Sequence, residues 1–255
     1  MRGFFIDVQG TLIDDKNFLP LKGSREFLEY LNKNSIPFIL ITNNTKRDSN
    51  EFKSYLKSLG FEFKYYLDPL MVLDEVLDTK TIAPFGVDRF LEVLKKKGYE
   101  FDYKNAKSVV LGIKLYSNEE FSEIIELLLN GADLIGMHKT SLYHKDNKRY
   151  PGLGAILEML KYATAKEYEV IGKPSRRFFE KARDILGLNF DKITIISDDL
   201  IGDLLPAKEL GMKSVLVLSG KIKSKKEITK KPDLVVKDLE ELLNWSENGK
   251  RVTKA

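Results

Sequence analysis

Gly3-Phe4-Phe5-Ile6-Asp7-Val8-Gln9-Gly10-Thr11-Leu12 is the stretch whose reading decides the fold. An apolar run of strand type ends in an acid, and a Gly-Thr turn follows at once. An α/β protein presents a carboxylate in this way at the carboxyl end of a buried strand, where open parallel sheets carry their sites. The same residues also read as an Asp in an ordinary β-turn, because Asp and Gly favour turns for local backbone reasons. The remainder of the chain discriminates between the two.

Working outward, residues 23–34 have Phe27, Leu28 and Leu31 on one face, the spacing of an amphipathic helix. Pro37-Phe38-Ile39-Leu40-Ile41 is a second buried strand and ends in Thr42-Asn43-Asn44-Thr45. Residues 48–59 form the next helix, with Gly60 as its stop. The order β-α-β-α implies a parallel sheet with right-handed crossovers. Around Asp68-Pro69 the character changes. Short strands at 81–83, 108–111 and 132–135 alternate with helices near 87–97 and 118–129, and none ends in an acid of the first kind. This middle stretch reads as a second, smaller α/β unit inserted into the first. The first pattern resumes after Pro151-Gly152-Leu153-Gly154. Strand 168–171 ends in Gly172-Lys173-Pro174, and strand 192–196 ends in Ser197-Asp198-Asp199-Leu200-Ile201-Gly202-Asp203. A strand at 214–218, another at 233–236 and a helix at 238–245 follow, with a polar tail from Ser246. The expected boundaries are residues 1–68 and 167–255 for the main unit and 69–166 for the insert.

Composition excludes several classes of chemistry. There is no cysteine, which removes disulfides, thiolate zinc sites and cysteine nucleophiles. The only histidines are His138 and His144, and no G-x-S-x-G elbow accompanies them. With 42 basic and 38 acidic residues the net charge is +4, too small and too dispersed to argue for nucleic acid. The Lys-dense stretch 221–231 reads as a solvated loop. No apolar run reaches membrane-spanning length and no signal peptide is recognisable at the start, so the expectation is a cytoplasmic protein with no membrane partner.

In one parallel sheet the strand ends share an edge, so four loops would converge: Asp7 with Gln9, Thr42 with Asn43, Lys173, and Asp198 with Asp203. That set suits phosphoryl transfer. Asp7 can attack phosphorus and form an aspartyl-phosphate. Asp7 and Asp198 supply the hard oxygen ligands that Mg²⁺ prefers, and the cation would neutralise phosphate charge. Lys173 is a second positive charge. Thr42 and backbone N–H groups around Asn43 can hold phosphate oxygens. Each element alone has a plainer explanation: Thr42-Asn43-Asn44 as a turn, Gly172-Lys173-Pro174 as a loop, and the acids of 197–203 as helix caps.

Taken together, these motifs resemble those of the haloacid dehalogenase (HAD) superfamily of phosphatases. The matching residues are Asp7-Val8-Gln9-Gly10-Thr11, Thr42-Asn43-Asn44, Gly172-Lys173-Pro174, and Ser197-Asp198 with Asp203. The length between the second and third motifs, with Pro151-Gly152-Leu153-Gly154, is similar to the type II cap of the para-nitrophenyl-phosphatase and NagD subgroup. Stretches 134–139, 160–164 and 197–203 resemble the branch that holds phospholysine phosphohistidine inorganic pyrophosphate phosphatase. The resemblance implies a Rossmann-like parallel-sheet core with an inserted α/β cap over the site. It implies Mg²⁺ held by Asp7, the Gln9 carbonyl, Asp198 and Asp203. It also implies phosphate contacts from Thr42, Asn43, Asn44 and Lys173, and a small phosphorylated substrate chosen by the cap. His138, Lys139 and Tyr143 are the candidates to reach in from the cap; for His138 a packed loop residue is an equal alternative. Caps of this type often dimerise, so the resemblance admits a homodimer.

The departure is Gln9, the only glutamine in the chain. The superfamily's usual phosphatase motif has a second Asp there, which protonates the leaving oxygen and then deprotonates the attacking water. Gln can hydrogen-bond but cannot exchange a proton usefully, and such help is typically worth ~10²–10⁴-fold. The branch just named carries Ser at that position, so the loss does not by itself abolish catalysis. Substrates with good leaving groups should tolerate it: aryl phosphates, acyl phosphates, pyrophosphate, or phosphoramidates whose nitrogen arrives protonated. Two readings follow, a Mg²⁺-dependent phosphatase or a phosphate-binding protein of negligible turnover. A dinucleotide-dependent oxidoreductase is excluded, since no G-x-G-x-x-G follows the first strand.

Overall fold

The computed structural model describes residues 2–145 and 148–247. They divide into two compact units: residues 2–42, 52–67 and 179–247 form one, and 43–51 with 68–178 the other. The chain thus returns to the first unit at 178/179 rather than at 166/167, and 43–51 belongs with the second.

The first unit is built on a six-stranded sheet in the order Leu234–Val236, Lys213–Val217, Ile193–Ser197, Gly3–Asp7, Phe38–Ile41, Tyr65–Leu67. Every neighbouring pair is parallel. The two central strands, Gly3–Asp7 and Ile193–Ser197, are buried at all five positions, as strands covered on both faces must be. Chain order reverses between these two strands, which makes their carboxyl ends the switch point where such sheets bind ligands. Register then aligns the ends. Asp7 lies opposite Ile41, and Ile6 opposite Ile196. Asp7, Thr42 and Ser197 therefore leave the sheet at one edge. Beneath it, Phe5 stacks on Phe179 with centroids 6.3 Å apart. Helix Ser24–Lys33 buries Phe27, Leu28 and Leu31, the face its spacing predicts.

The second unit repeats the architecture on a five-stranded parallel sheet, ordered Tyr168–Val170, Asp133–Gly136, Ser108–Leu111, Thr81–Phe85, Glu100–Phe101. Helices Asp88–Lys96, Asn118–Leu129 and Leu153–Thr164 bury one apolar face each. Ser117 and Glu120 close a reciprocal capping box at the start of the second of these. An antiparallel hairpin pairs Leu142–Lys145 with Lys148–Pro151.

One expectation is corrected. The strand before Lys173 does not extend the first sheet; Tyr168–Val170 pairs with Asp133–Gly136 in the second. Its three residues are all partly exposed, the signature of an edge strand. Such a strand carries no sequence mark of the sheet it joins. Several short elements were not expected from the sequence: strands Tyr65–Leu67 and Glu100–Phe101, helix Pro69–Val76 and the hairpin. Two- and three-residue strands are too short to show a period of two. No helix among the described residues is long and apolar enough to cross a membrane.

Candidate active site

The opening motif folds as a knot just beyond the central strand. The Val8 carbonyl accepts from the backbone N–H of Leu12 at 2.8 Å and of Ile13 at 3.0 Å, and the Gly10 N–H donates to the Ile13 carbonyl at 2.7 Å. Gly10 has φ 79°, which an L side chain rarely adopts. Asp7 is buried, 5% exposed, and accepts from Thr11 Oγ1 at 3.2 Å.

Asp198 emerges from the neighbouring strand and is 2% exposed. It occupies a slot between two glycines. A Cβ on Gly10 would lie 2.3 Å from Asp198 Oδ2, and one on Gly220 would lie 1.9 Å from it. That Oδ2 accepts the Lys221 backbone N–H at 2.6 Å. Burial first, and the Asp7 charge second, push the Asp198 carboxyl well above the ordinary carboxylate value, against the pull of Lys221. Next in the chain, Asp199 caps a π-helical turn at Leu200–Leu204, its Oδ1 accepting from the Gly202 N–H at 2.7 Å. Asp203 is buried and accepts from Ser197 Oγ at 2.7 Å. In this structure Asp203 thus braces the strand end that carries Asp198.

Gln9 is not idle. Its Oε1 accepts from Thr42 Oγ1 at 2.6 Å, which ties together two of the predicted motifs. The Thr42 N–H is spent on the Leu67 carbonyl at 3.1 Å. Asp7, Gln9, Thr42, Asp198 and Asp203 are thus gathered at the carboxyl edge of the first sheet, as the sequence leads one to expect.

The remaining predicted residues belong to the second unit. Lys173 is 3% exposed, and the Asn43 side chain clips its backbone. Asn43 Oδ1 accepts the Lys173 N–H at 2.8 Å while Nδ2 donates to the Lys173 carbonyl at 3.2 Å. Asn43 therefore shapes the lysine's loop with both ends of its amide. The Asn44 amide is likewise turned to its own loop, donating to the Arg47 carbonyl at 2.7 Å and accepting from the Arg47 N–H at 3.2 Å. His138 is 6% exposed, with Nδ1 3.0 Å from Thr140 Oγ1, which fits a packed loop residue. Lys139 is drawn into an ion pair with Glu158 at 3.0 Å and lies over the Tyr168 ring. The side chain of Tyr143 lies outside the described residues.

Lys221 departs from the solvated loop that its lysine-rich stretch suggests. Its ammonium pairs with Asp199. Burial works against that charge, but Asp199, Asp198 and Asp203 outweigh it and hold its pKa above the ordinary lysine value. The available signal was position: Ser219-Gly220-Lys221 follows strand Lys213–Val217, whose carboxyl end lies on the same edge as Asp7.

The donor set fits Mg²⁺. Two buried carboxylates repel each other, and Asp198 Oδ1 makes no hydrogen bond among the described residues. Two buried negative charges side by side are unfavourable unless a cation answers them. No group of three or more Asp, Glu or His among the described residues is placed to hold a metal by itself. Mg²⁺ takes one or two carboxylates and fills its octahedron with waters and substrate phosphate.

A parallel sheet with two buried carboxylates just beyond its switch point has its site where open α/β sheets bind ligands. Comparison with known proteins makes this specific. Residues 4–100 match the family described as Haloacid dehalogenase-like hydrolase, and residues 170–242 the one described as HAD-hydrolase-like. The chain is 28% identical over 231 residues to Haloacid dehalogenase-like hydrolase domain-containing protein 2 of Bos taurus, covering 89% of this chain and 88% of that protein. It is 25% identical over 231 residues to phospholysine phosphohistidine inorganic pyrophosphate phosphatase of Mus musculus, covering 88% and 85%. Among solved structures, 4-nitrophenylphosphatase from Thermotoga maritima superposes with a TM-score of 0.80 at 25% identity, covering 96% and 97%. The chain belongs to the haloacid dehalogenase-like hydrolases, and within them to the phosphatases with an α/β cap of type IIA.

Proposed function

We propose that the chain is a Mg²⁺-dependent phosphatase of small phosphorylated molecules that acts through an aspartyl-phosphate on Asp7. The observation that carries this reading is the pair Asp7 and Asp198, both buried and mutually repelling at the switch point of the sheet. Mg²⁺, when bound, would offset negative charge on nucleophile and phosphoryl group. Asp7, Asp198 and the Gln9 carbonyl are the candidates to hold it, with Asp203 behind them. Asp7 attacks phosphorus, the bond to the leaving oxygen or nitrogen breaks, and water then cleaves the acyl phosphate to release inorganic phosphate. Lys173 is the candidate for the second positive charge on the phosphoryl group, and Thr42 for a contact to its oxygens once its hydroxyl turns from Gln9.

Gln9 sets the substrate range. With Oε1 committed to Thr42, its free end is the amide Nε2, a hydrogen-bond donor that carries no exchangeable acid proton. Leaving groups that need little protonation are favoured. The names of the relatives speak of a nitrophenyl ester, of phospholysine and phosphohistidine, and of pyrophosphate, which are all of that kind. A cytoplasmic location and a homodimer complete the reading.

The test is release of para-nitrophenol with Mg²⁺ and with chelator, on the wild type and on Asp7→Asn. Turnover that needs Mg²⁺ and falls on the order of 10³-fold or more in the variant is the expected result. The commitment of Gln9 to Thr42 favours one other reading, a phosphate-binding protein with the same pocket. Phosphate binding without turnover would establish that reading instead.

A further inference from the structure

In the second unit, the loop that follows Asn43 and helix Asp88–Lys96 enclose an open cleft of about 360 Å³. Its charged lining is Lys46, Arg47, Glu51, Arg89, Glu92 and Lys96. The walls are fixed. Lys96 pairs with Glu51 from wall to wall at 3.1 Å. Asn44 holds the Arg47 backbone with both ends of its amide, at 2.7 and 3.2 Å. The Asn44 amide and the Ser49 hydroxyl both donate to the buried Asp68 carboxylate, at 3.4 and 2.9 Å. Within this frame the charges do not all find partners. Glu51 is engaged by Lys96, whereas the Lys46 and Arg89 side chains make no hydrogen bond or ion pair among the described residues. Glu92, one turn along the helix from Arg89, pairs with neither. Lys46 stays exposed, yet crowding by the cleft first and the Arg89 charge second hold its pKa below the ordinary lysine value.

We infer that this cleft is a binding site for a phosphate-bearing anion, clamped between Lys46 and Arg89. Two cations held near each other repel, and an anion between them turns that repulsion into two attractions. A phosphate group carries about −1.5 to −2 charges at neutral pH, which matches the two cations. Its oxygens suit the planar guanidinium fork of Arg89, and those left over suit the Lys46 ammonium, a point-charge donor. Because the loop backbone is already fixed, little order has to be imposed when the anion binds. The clamp lies wholly within the second unit and uses none of Asp7, Asp198 or Lys173, so it does not depend on the phosphatase reading. A free diphosphate and a second phosphate carried by the substrate offer it the same chemistry.

The experiment is calorimetric titration of the full chain with methylenediphosphonate, a diphosphate that cannot be hydrolysed, in the presence of EDTA. Without a divalent cation, the mutually repelling Asp7 and Asp198 disfavour an anion at their own edge, so the titration reads the cleft. Wild type is compared with Arg89→Glu, Lys46→Met and, as a charge control on the same unit, Lys107→Glu; all three side chains are exposed, and thermal melts check that each variant is folded. Expected in the wild type is a Kd of about 1 mM or tighter. Arg89→Glu should weaken it about tenfold or more, Lys46→Met about threefold or more, and Lys107→Glu less than about twofold. No binding by the wild type overturns the inference, as does a Lys46→Met variant that binds like wild type, or equal losses in Arg89→Glu and Lys107→Glu. Turnover with Mg²⁺ separates the sources of the anion. If the substrate carries it, the ratio of kcat/KM for hydroquinone bisphosphate to that for para-nitrophenyl phosphate falls about tenfold in Arg89→Glu; if it is a free anion, the ratio holds while the calorimetric loss remains. Binding in EDTA by a chain with no Mg²⁺-dependent turnover would overturn the phosphatase reading and leave the clamp standing.

Discussion

The molecule contains two all-parallel α/β sheets whose strand ends differ. In the first unit the central strands end in Asp7 and in Ser197-Asp198, and backbone N–H groups and glycines make room for the carboxylates. In the second, strands Thr81–Phe85 and Ser108–Leu111 are followed by Gly86 and Gly112, and both are filled by Phe90. A Cβ would meet the Phe90 ring at 2.3 Å in one and 2.9 Å in the other. The same architecture therefore uses glycine for opposite ends. Beside Asp198 it holds a slot open for a polar group; beside Phe90 it lets a helix close the strand ends with an apolar plug. The acids differ in the same sense. Asp198 is held above the ordinary carboxylate value by burial and Asp7. Asp74 in the second unit is pushed up by its partial burial, but hydrogen bonds from Lys97, Lys80 and Tyr99 outweigh this and hold it below the ordinary value. One carboxylate costs stability when ionised, and the other contributes it.

Alanine at the two kinds of glycine is the strongest way to break this contrast. Gly220→Ala should displace Asp198 and reduce turnover about 10²-fold, the scale of a ~1 Å misplacement. Gly112→Ala should cost about 1–3 kcal/mol by overpacking against Phe90 and leave kcat within about twofold. Thermal melts with steady-state kinetics on both variants would check this, and equal activity losses would show that the distinction is not functional.

Gln9→Asp sharpens the account of the first edge. It restores an exchangeable proton, so alkyl phosphates should gain roughly tenfold or more while para-nitrophenyl phosphate gains little. A substrate panel that rises uniformly would mean that Gln9 limits something other than leaving-group protonation.

Asp74 tests the second kind of acid. Its folded pKa lies below the unfolded value, so its contribution is present above that value and lost as pH falls through the folded one. Because Asp74 is 37% exposed, solvent screening limits the effect to about 1 kcal/mol. Asp74→Asn should lower stability by that amount at pH 7, and the gap from wild type should close as the pH is taken below the ordinary carboxylate range, through the lowered folded pKa. Urea melts at neutral and at acid pH would measure it. The smallest effect belongs to Lys139→Ala, which removes an exposed ion pair with Glu158 and should change both stability and KM by less than about twofold in the corresponding constants.

Much of this was legible beforehand for a definable reason. Long buried strands ending in Asp7, in Thr42 and in Asp198 announce themselves by runs of Ile, Leu and Phe followed by polar turns. Parallel connectivity then brings those ends to one edge. The burial of Phe27, Leu28 and Leu31 follows from helical periodicity in the same way. Position 9 was also legible as chemistry, since no fold can make an amide exchange a proton as an acid does.

Partner choice was not legible, because it depends on what lies across space. Tyr168–Val170 has a strand's residues but joins the second sheet, with Lys173 following it, since an exposed three-residue edge carries no mark of its neighbour. Asn43 and Asn44 have the residue types of phosphate ligands, yet the Asn43 amide is turned to the Lys173 backbone and the Asn44 amide to the Arg47 backbone and the Asp68 carboxylate. Lys221 lies in the most lysine-dense stretch of the chain and reads as solvated. Only tertiary packing sets its N–H on Asp198 and its ammonium on Asp199. The sequence by itself determined the strand that presents Asp7 and the missing acid at Gln9, because periodicity and side-chain chemistry are local. The tertiary structure alone decided which groups face that aspartate and hold its companion carboxylate, because hydrogen bonds and charge pairing are made between residues far apart in the chain.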